Sequence, residues 1–304
     1  MLYAAAPSSR MAVSLAVAVL AAALFLPSGG AAAAAQKELG RSRFRFTRAR
    51  RPHDEEADFS YRRDAGNGPE RWGLLRPEWR ACGAGRMQSP IALSDAVAGL
   101  AERRGRVRRT HRPAAASLVN RGHDVMVRFS GDAGGVVVDG ATYRLRQMHW
   151  HAPSEHAING RRYDLELHML HQSAADPAKY VAVAQLYRVG RRRDRTLHRL
   201  ERYIRRISRR RDHEVLIDEL VDPRRPIRGS NVFYRYMGSF TTPPCTEGIT
   251  WLVAQKVRRV RRHQVNLLRH AIFDGARGSA RPLQDANGRG VALYYSSPAL
   301  GDQH

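Results

Sequence analysis

The dipeptide Asn159-Gly160 constrains this chain more than any other two residues. It lies between two runs that alternate in polarity, and Asn-Gly selects the two-residue turn of a β-hairpin. A hairpin across it sets GVVVDGATYRLRQMHWH (135–151) antiparallel to RYDLELHMLH (162–171). Further β-rich runs are HDVMVRF (123–129), KYVAVAQLYRV (179–189) and ITWLVAQKV (249–257), separated by turns rich in Gly, Asn, Asp and Pro. Helical periodicity is rarer. Asp194 caps a run with Leu197, Leu200, Ile204 and Ile207 at helical spacing, and Val265, Leu268 and Ile272 mark a second helix. The expected fold is α+β and mainly β: a large twisted, predominantly antiparallel sheet with peripheral helices.

A chain of 304 residues buries a full core without help from a metal, so any metal is chemical rather than structural. Residues 1–35 place Arg10 before the apolar run MAVSLAVAVLAAALFL (11–26), then Pro27, two glycines and AAAAA. That is the order of a secretory signal peptide, with cleavage expected near Ala33 to Gln36, and the run falls short of the ~20 apolar residues of a membrane span. A transit peptide is the competing reading, which the apolar character and the scarcity of Ser and Arg argue against. Residues 36–58 read as a basic flexible segment and 59–300 as the folded domain. The expected destination is the secretory pathway or the exterior, with plastid stroma or lumen and periplasm as alternatives. Export makes Cys82 and Cys245, the only cysteines, candidates for one disulfide, with two free thiols as the alternative.

The net charge of +24 is nearly all arginine, since lysine occurs only at Lys37, Lys179 and Lys256. The arginines are scattered, with no zinc-finger spacing and no basic motif interleaved with aromatics, so no nucleic-acid partner is expected. A compositional bias of the coding sequence accounts for such an excess, and weak association with anionic surfaces follows from it. Composition fixes no oligomeric state.

The histidines carry the chemistry. His149 and His151 are two apart on one strand and share a face. A register continued from the Asn159-Gly160 turn sets His151 opposite His168, with His149 on the diagonal at roughly 7–8 Å, so three imidazoles converge. Pro153 loosens the pairing near the turn, and a slip of one residue would send His168 to the other face. Three neutral imidazoles suit Zn²⁺ and leave a fourth tetrahedral position open, where bound water becomes a hydroxide nucleophile near neutral pH. Gln147 and Glu166 each precede a ligand by two residues and can accept its second ring N–H. His156 and His171 read as hydrogen-bonded structural histidines, His171 on the face opposite His168.

HWH with SEH after it, ELHMLH downstream, NGPERW (67–72), QSPI (88–91), GSFTTPPCTEGITW (238–251) and Arg281-Pro282 together resemble the α-class carbonic anhydrases, most of all their plant and bacterial secreted branch. The likeness spans residues 59–300. It implies zinc-dependent reversible hydration of carbon dioxide to bicarbonate and a proton, with a small-molecule substrate and His149, His151 and His168 as zinc ligands. Thr241 would pass a hydrogen bond to Glu155 and so orient the nucleophile, and Thr241 and Thr242 would face bicarbonate. Leu170, Val181, Phe240 and Trp251 would line an apolar pocket, with Met126 at its wall where relatives are often polar. His123 in NRGHD would shuttle protons, although its own sequence context reads as an exposed histidine at a strand start. A Cys82–Cys245 bridge would staple the TTPP loop, a cis bond is implied at Pro243-Pro244, and Ser279, where Asn is common, would contact a ligand histidine through its backbone. Some members of the fold are storage or recognition proteins that have lost ligand histidines. Here all three, with Thr241 and Glu155, are present.

Overall fold

Asn159 and Gly160 both take positive φ (50° and 75°), and the turn they make pairs Ala157–Ile158 with Arg161–Arg162. A second turn of the same kind, Asp139-Gly140 (φ 50° and 81°), divides the run 135–151 into the hairpin strands Gly135–Val138 and Ala141–His151. The computed structural model of the chain describes residues 59–99, 104–272 and 278–296. The expected leader and basic segment, residues 1–58, lie outside the described residues.

Twelve strands form one sheet among the described residues. Nine of its twelve strand pairings are antiparallel, in accord with the expected class. At its centre the Ala141–His151 strand pairs with Leu165–Ser173 on one side and with Val125–Phe129 on the other. Leu165–Ser173 continues to Tyr180–Val189, and from there to Glu247–Ala254 and Val232–Ser239. The two expected helices are Arg195–Ile207, whose N-cap Asp194 accepts a hydrogen bond from the Leu197 N–H at 2.9 Å, and Arg262–Ala271; they pack on each other. Strand Arg104–Arg109 escaped the reading because its sequence, RGRVRR, shows one apolar residue; that residue, Val107, is the one that enters the core.

The sheet separates two cores. On Tyr180–Val189 the side chains of Val181, Val183 and Tyr187 enter the larger one, and those of Ala182, Ala184 and Leu186 enter the smaller, as strand alternation requires. A third cluster gathers Phe59, Tyr61, Trp72 and Trp79 around the disulfide Cys82–Cys245, which is formed as expected.

The register of the central pair differs from the one continued out of the Asn159-Gly160 turn. His149 faces His168, and His151 faces Glu166. From Ala157 back to His151 is six residues, whereas from Arg162 forward to Glu166 is four, so two residues loop out around the cis Ala152-Pro153 bond. A shift of two preserves the face, and the histidines still converge.

His171 lies on the opposite face, as expected. Its Nδ1–H donates to the Val181 carbonyl at 3.2 Å, and its Nε2 lies 2.8 Å from Nε2 of His111. Both rings are buried. Burial pushes the His171 pKa down to about 4, and holds His111 well below the usual value with help from His171 and Arg109. An unfolded chain regains a value near ~6.5 and binds more protons between the two, so stability present above pH ~6.5 is lost as pH falls towards 4.

Two outcomes follow. Calorimetry should show the melting temperature falling between pH 7 and 4, and falling less in a His111→Gln, His171→Gln variant that has nothing to protonate at this pair. The disulfide closes a loop of sequence separation 163. Replacing both cysteines by serine should lower the unfolding free energy by up to about 5 kcal/mol in denaturant titrations, the loop-closure limit for that length.

Candidate metal centre

Alternation along two neighbouring strands builds the site. On Ala141–His151, Met148 and Trp150 enter the larger core, which turns His149 and His151 outward together; on Leu165–Ser173, Leu167 and Met169 do the same for Glu166 and His168. His149 meets His151 and His168 edge to face, with centroids 4.9 and 5.1 Å apart, and His151 and His168 are tilted at 50° with centroids 4.6 Å apart. One nitrogen of each lies within 4.8 Å of the others.

The second nitrogen of every ring is engaged. His149 Nδ1–H donates to Gln147 Oε1 at 2.8 Å, and His168 Nε2–H donates to Glu166 Oε1 at 2.8 Å, both as the spacing implies. His151 Nδ1–H donates to the backbone carbonyl of Ser279 at 2.5 Å. That approach needs Gly278 next door, where a Cβ would stand 2.4 Å from the Ala152 oxygen. Burial pushes His149 well below its usual pKa, and lowers His168 against the opposing pull of Glu166, which favours the neutral imidazoles that bind cations.

Glu166 ties the neighbourhood together. Its Oε2 accepts from the backbone N–H of Glu155 and of His156, each at 2.8 Å, and its Oε1 also accepts from His156 Nδ1–H at 2.6 Å. Burial alone would raise this carboxyl; His156 and His168 beside it hold it well below the carboxylate range. His156, with Nε2 2.7 Å from the Tyr236 hydroxyl, is thus a structural histidine as expected.

Glu155 is fully buried. Its Oε1 accepts from the backbone N–H of Arg281 at 2.8 Å, while Oε2 has no hydrogen-bond partner and lies 3.9 Å from His168 Nδ1. The hydrogen bond anticipated from Thr241 is not formed in this arrangement. Thr241 is itself buried, and Thr242 next to it accepts the Cys245 N–H at its carbonyl at 2.9 Å, closing the TTPPC turn with Pro243-Pro244 in cis.

Two expectations need correction. Val181 does not line this site. It pairs with His171 and enters the larger core, so Ala182, opposite Leu170 and Trp251, occupies the site's face instead. Trp251 reaches His168 at 4.7 Å between centroids, and Leu170 and Phe240 pack beside it; Met126 stands across from His149. His123, expected at the surface, is 3 % exposed, because Phe59 and Tyr61 cover it at centroid distances of 5.0 and 6.3 Å. Tyr61 in turn lies 6.4 Å from His151.

Sequence reasoning assigned no role to two groups. Asp124, next to His123, is buried and bonded by Arg121, whose Nε reaches Oδ1 at 2.8 Å; burial opposes ionisation, but Arg121 and His123 hold the carboxyl well below its usual value. The i, i+3 spacing of Arg and Asp within NRGHD was its signal. Arg281 is 1 % exposed and donates from Nη1 to Gln88 Oε1 at 2.9 Å and the Ser89 carbonyl at 2.7 Å, and from Nη2 to the Cys82 carbonyl at 2.8 Å. A buried arginine leaves no periodicity in a sequence.

The donor set fits a zinc ion. Three imidazoles converge with their outer nitrogens committed elsewhere, and His151 Nε2 is buried with no hydrogen-bond partner. The alternative grouping of His156, Glu166 and His168 is already satisfied as a hydrogen-bond network.

A family model described as eukaryotic-type carbonic anhydrase matches residues 67–295. Alpha carbonic anhydrase 7 of Arabidopsis thaliana is 45% identical over 241 residues, covering 79% of this chain and 86% of that protein. Among solved structures, dioscorin complexed with ascorbate superposes with a TM-score of 0.73 at 43% identity, over 79% of this chain and 99% of that one. The alpha-carbonic anhydrase of Thermovibrio ammonificans with the inhibitor sulfanilamide gives 0.69 at 32% identity, over 77% and 98%.

Replacing Glu166 by Gln removes the charge that orients His168. Zinc affinity should fall by about 10- to 100-fold in competition with a chromophoric chelator, with the fold retained.

Proposed function

Because the chain belongs to the eukaryotic-type, alpha-class carbonic anhydrase family, we propose that it is a zinc lyase that interconverts carbon dioxide and bicarbonate, with His149, His151 and His168 holding the ion. The observation that carries this reading is the nitrogen geometry: three imidazoles whose second nitrogens are each hydrogen-bonded, turned on one point beside the orphaned Oε2 of Glu155. A zinc ion there supplies a nucleophile at neutral pH by acidifying water.

The chain's own residues do the rest. Glu155 Oε2 is the acceptor to which Thr241 donates when its hydroxyl rotates inward, and the pair then fixes the direction of attack, with Thr242 facing the product. Leu170, Ala182, Phe240 and Trp251 offer an apolar wall to a nonpolar gas and exclude competing water. His123 carries the released proton outward, a relay suited to an imidazole, which can take a proton on one ring nitrogen and release it from the other. Asp124, locked by Arg121, sets the position of its neighbour, with 3.6 Å between His123 Nε2 and Oδ2. Export belongs to the same reading, and the Cys82–Cys245 bridge supports it, since such bonds persist in oxidising compartments.

The dioscorin likeness admits a second reading, a binding protein for a small acid. The intact histidine triad favours catalysis.

Purified protein should hold one zinc per chain by atomic emission and hydrate carbon dioxide in a stopped-flow indicator assay. His149→Ala should lose both metal and activity; a folded, zinc-loaded protein without activity would favour the second reading. His123→Ala should lower kcat by about tenfold or more in dilute buffer, leave KM unchanged and recover with added imidazole.

A further inference from the structure

One groove on the surface concentrates positive charge far beyond the average of the chain. It encloses about 770 Å³ between two segments. The loop after the Tyr180–Val189 strand supplies Arg191, Arg192 and Arg193, and the first residue of the helix that follows supplies Arg195. Facing it, Lys256, Arg258, Arg259 and Arg261 come from the segment that leads into the Arg262–Ala271 helix. The remaining lining residue is Val257, and no carboxylate lines the groove.

These cations differ from arginines elsewhere. Arg112 pairs with Asp132, Arg199 with Glu219, and Arg202 with Asp218. Among the described residues, none of the eight groove cations pairs with a carboxylate. Arg258 and Arg261 are braced instead on backbone carbonyls, of Arg228 at 2.7 Å and Arg191 at 3.1 Å. Arg191, Arg192, Arg195 and Arg259 are exposed. Asp194, the acid between Arg193 and Arg195, is 4 % exposed and committed to the helix cap. The Arg262–Ala271 helix has no acid at its N-cap or in its first turn, so its N-terminal dipole adds to the field.

Eight like charges held this close repel, and no carboxylate among the lining residues offsets them. We propose that the groove binds an external polyanion, namely a linear acidic polysaccharide bearing carboxylate or sulfate groups along its length. Guanidinium forks suit both groups through paired N–H donors. The lining carries no aromatic ring on which unstacked bases would lie, which disfavours single-stranded nucleic acid. A concave groove with a single apolar residue is likewise ill-shaped for a bilayer surface. The site lies beyond Gly190, six residues along the strand from Ala184, the partner of His168, or about 20 Å at ~3.3 Å per residue. Binding is therefore independent of catalysis.

The test uses the full chain and calorimetric titration with polygalacturonate and with dextran sulfate at 0.15 M salt, neutral dextran serving as blank. A groove variant (Arg192→Ser, Arg195→Ser, Arg259→Ser) is compared with a control of equal charge change (Arg112→Ser, Arg199→Ser, Arg202→Ser), each shown to be folded by circular dichroism and melting. The groove variant should bind at least one polymer about tenfold or more weakly, with a shallower salt dependence, while the control changes less than threefold. The two polymers tell a carboxylate from a sulfate preference. Equal losses in both variants, no binding of either polymer, or tighter groove-dependent binding to polyuridylate or anionic vesicles would each overturn the proposal.

Discussion

A single buried carboxylate organises the neighbourhood of the three histidines. Glu166 accepts four hydrogen bonds, from the His168 and His156 rings and from two successive backbone N–H groups at Glu155 and His156. In a site without solvent an ionised carboxylate is tolerable only when its lone pairs are occupied, and here each is. The same four bonds fix the ring of one candidate metal ligand and pin the looped-out segment 152–156 against the sheet. Glu155 therefore reaches the cation site because Glu166 holds its backbone. Loss of that charge would disturb the ligand and the orienting carboxylate together.

The legible part of the molecule was what strand geometry encodes. Alternation gave the faces of His149, His151 and His168, and the acceptors Gln147 and Glu166 followed from the same period of two. The Asn159-Gly160 turn was correctly placed, yet the register read from it was off by two, since an outlooping next to Pro153 leaves no periodic trace. Because the error was even, the convergence survived it. The misplacement of Val181 was an odd error, by one residue, and so turned a core valine into a supposed pocket wall when Ala182 holds that place.

What could not be read were contacts made by the backbone or by residues remote in sequence. Ser279 serves His151 through its carbonyl, which is the same for every residue type, and only family likeness pointed to it. His123 looked exposed because its covering rings, Phe59 and Tyr61, belong to a separate segment more than sixty residues upstream. The excess of arginine, unremarkable along the sequence, acquires meaning once folding sorts it. Some guanidinium groups meet acids across the surface, and others are left facing one another across a groove.

The reliance on late residues bears on how the protein becomes active during synthesis. His151 takes its orientation from Ser279, 128 positions on, and Glu155 from Arg281, 126 positions on. A nascent chain that has already emerged with every candidate zinc ligand still lacks the two backbone groups that aim its histidine and its carboxylate. Ribosome-bound intermediates and products shortened before Ser279 would thus carry all three candidate ligands in an unfinished geometry, completed only once residues 279–281 join the fold.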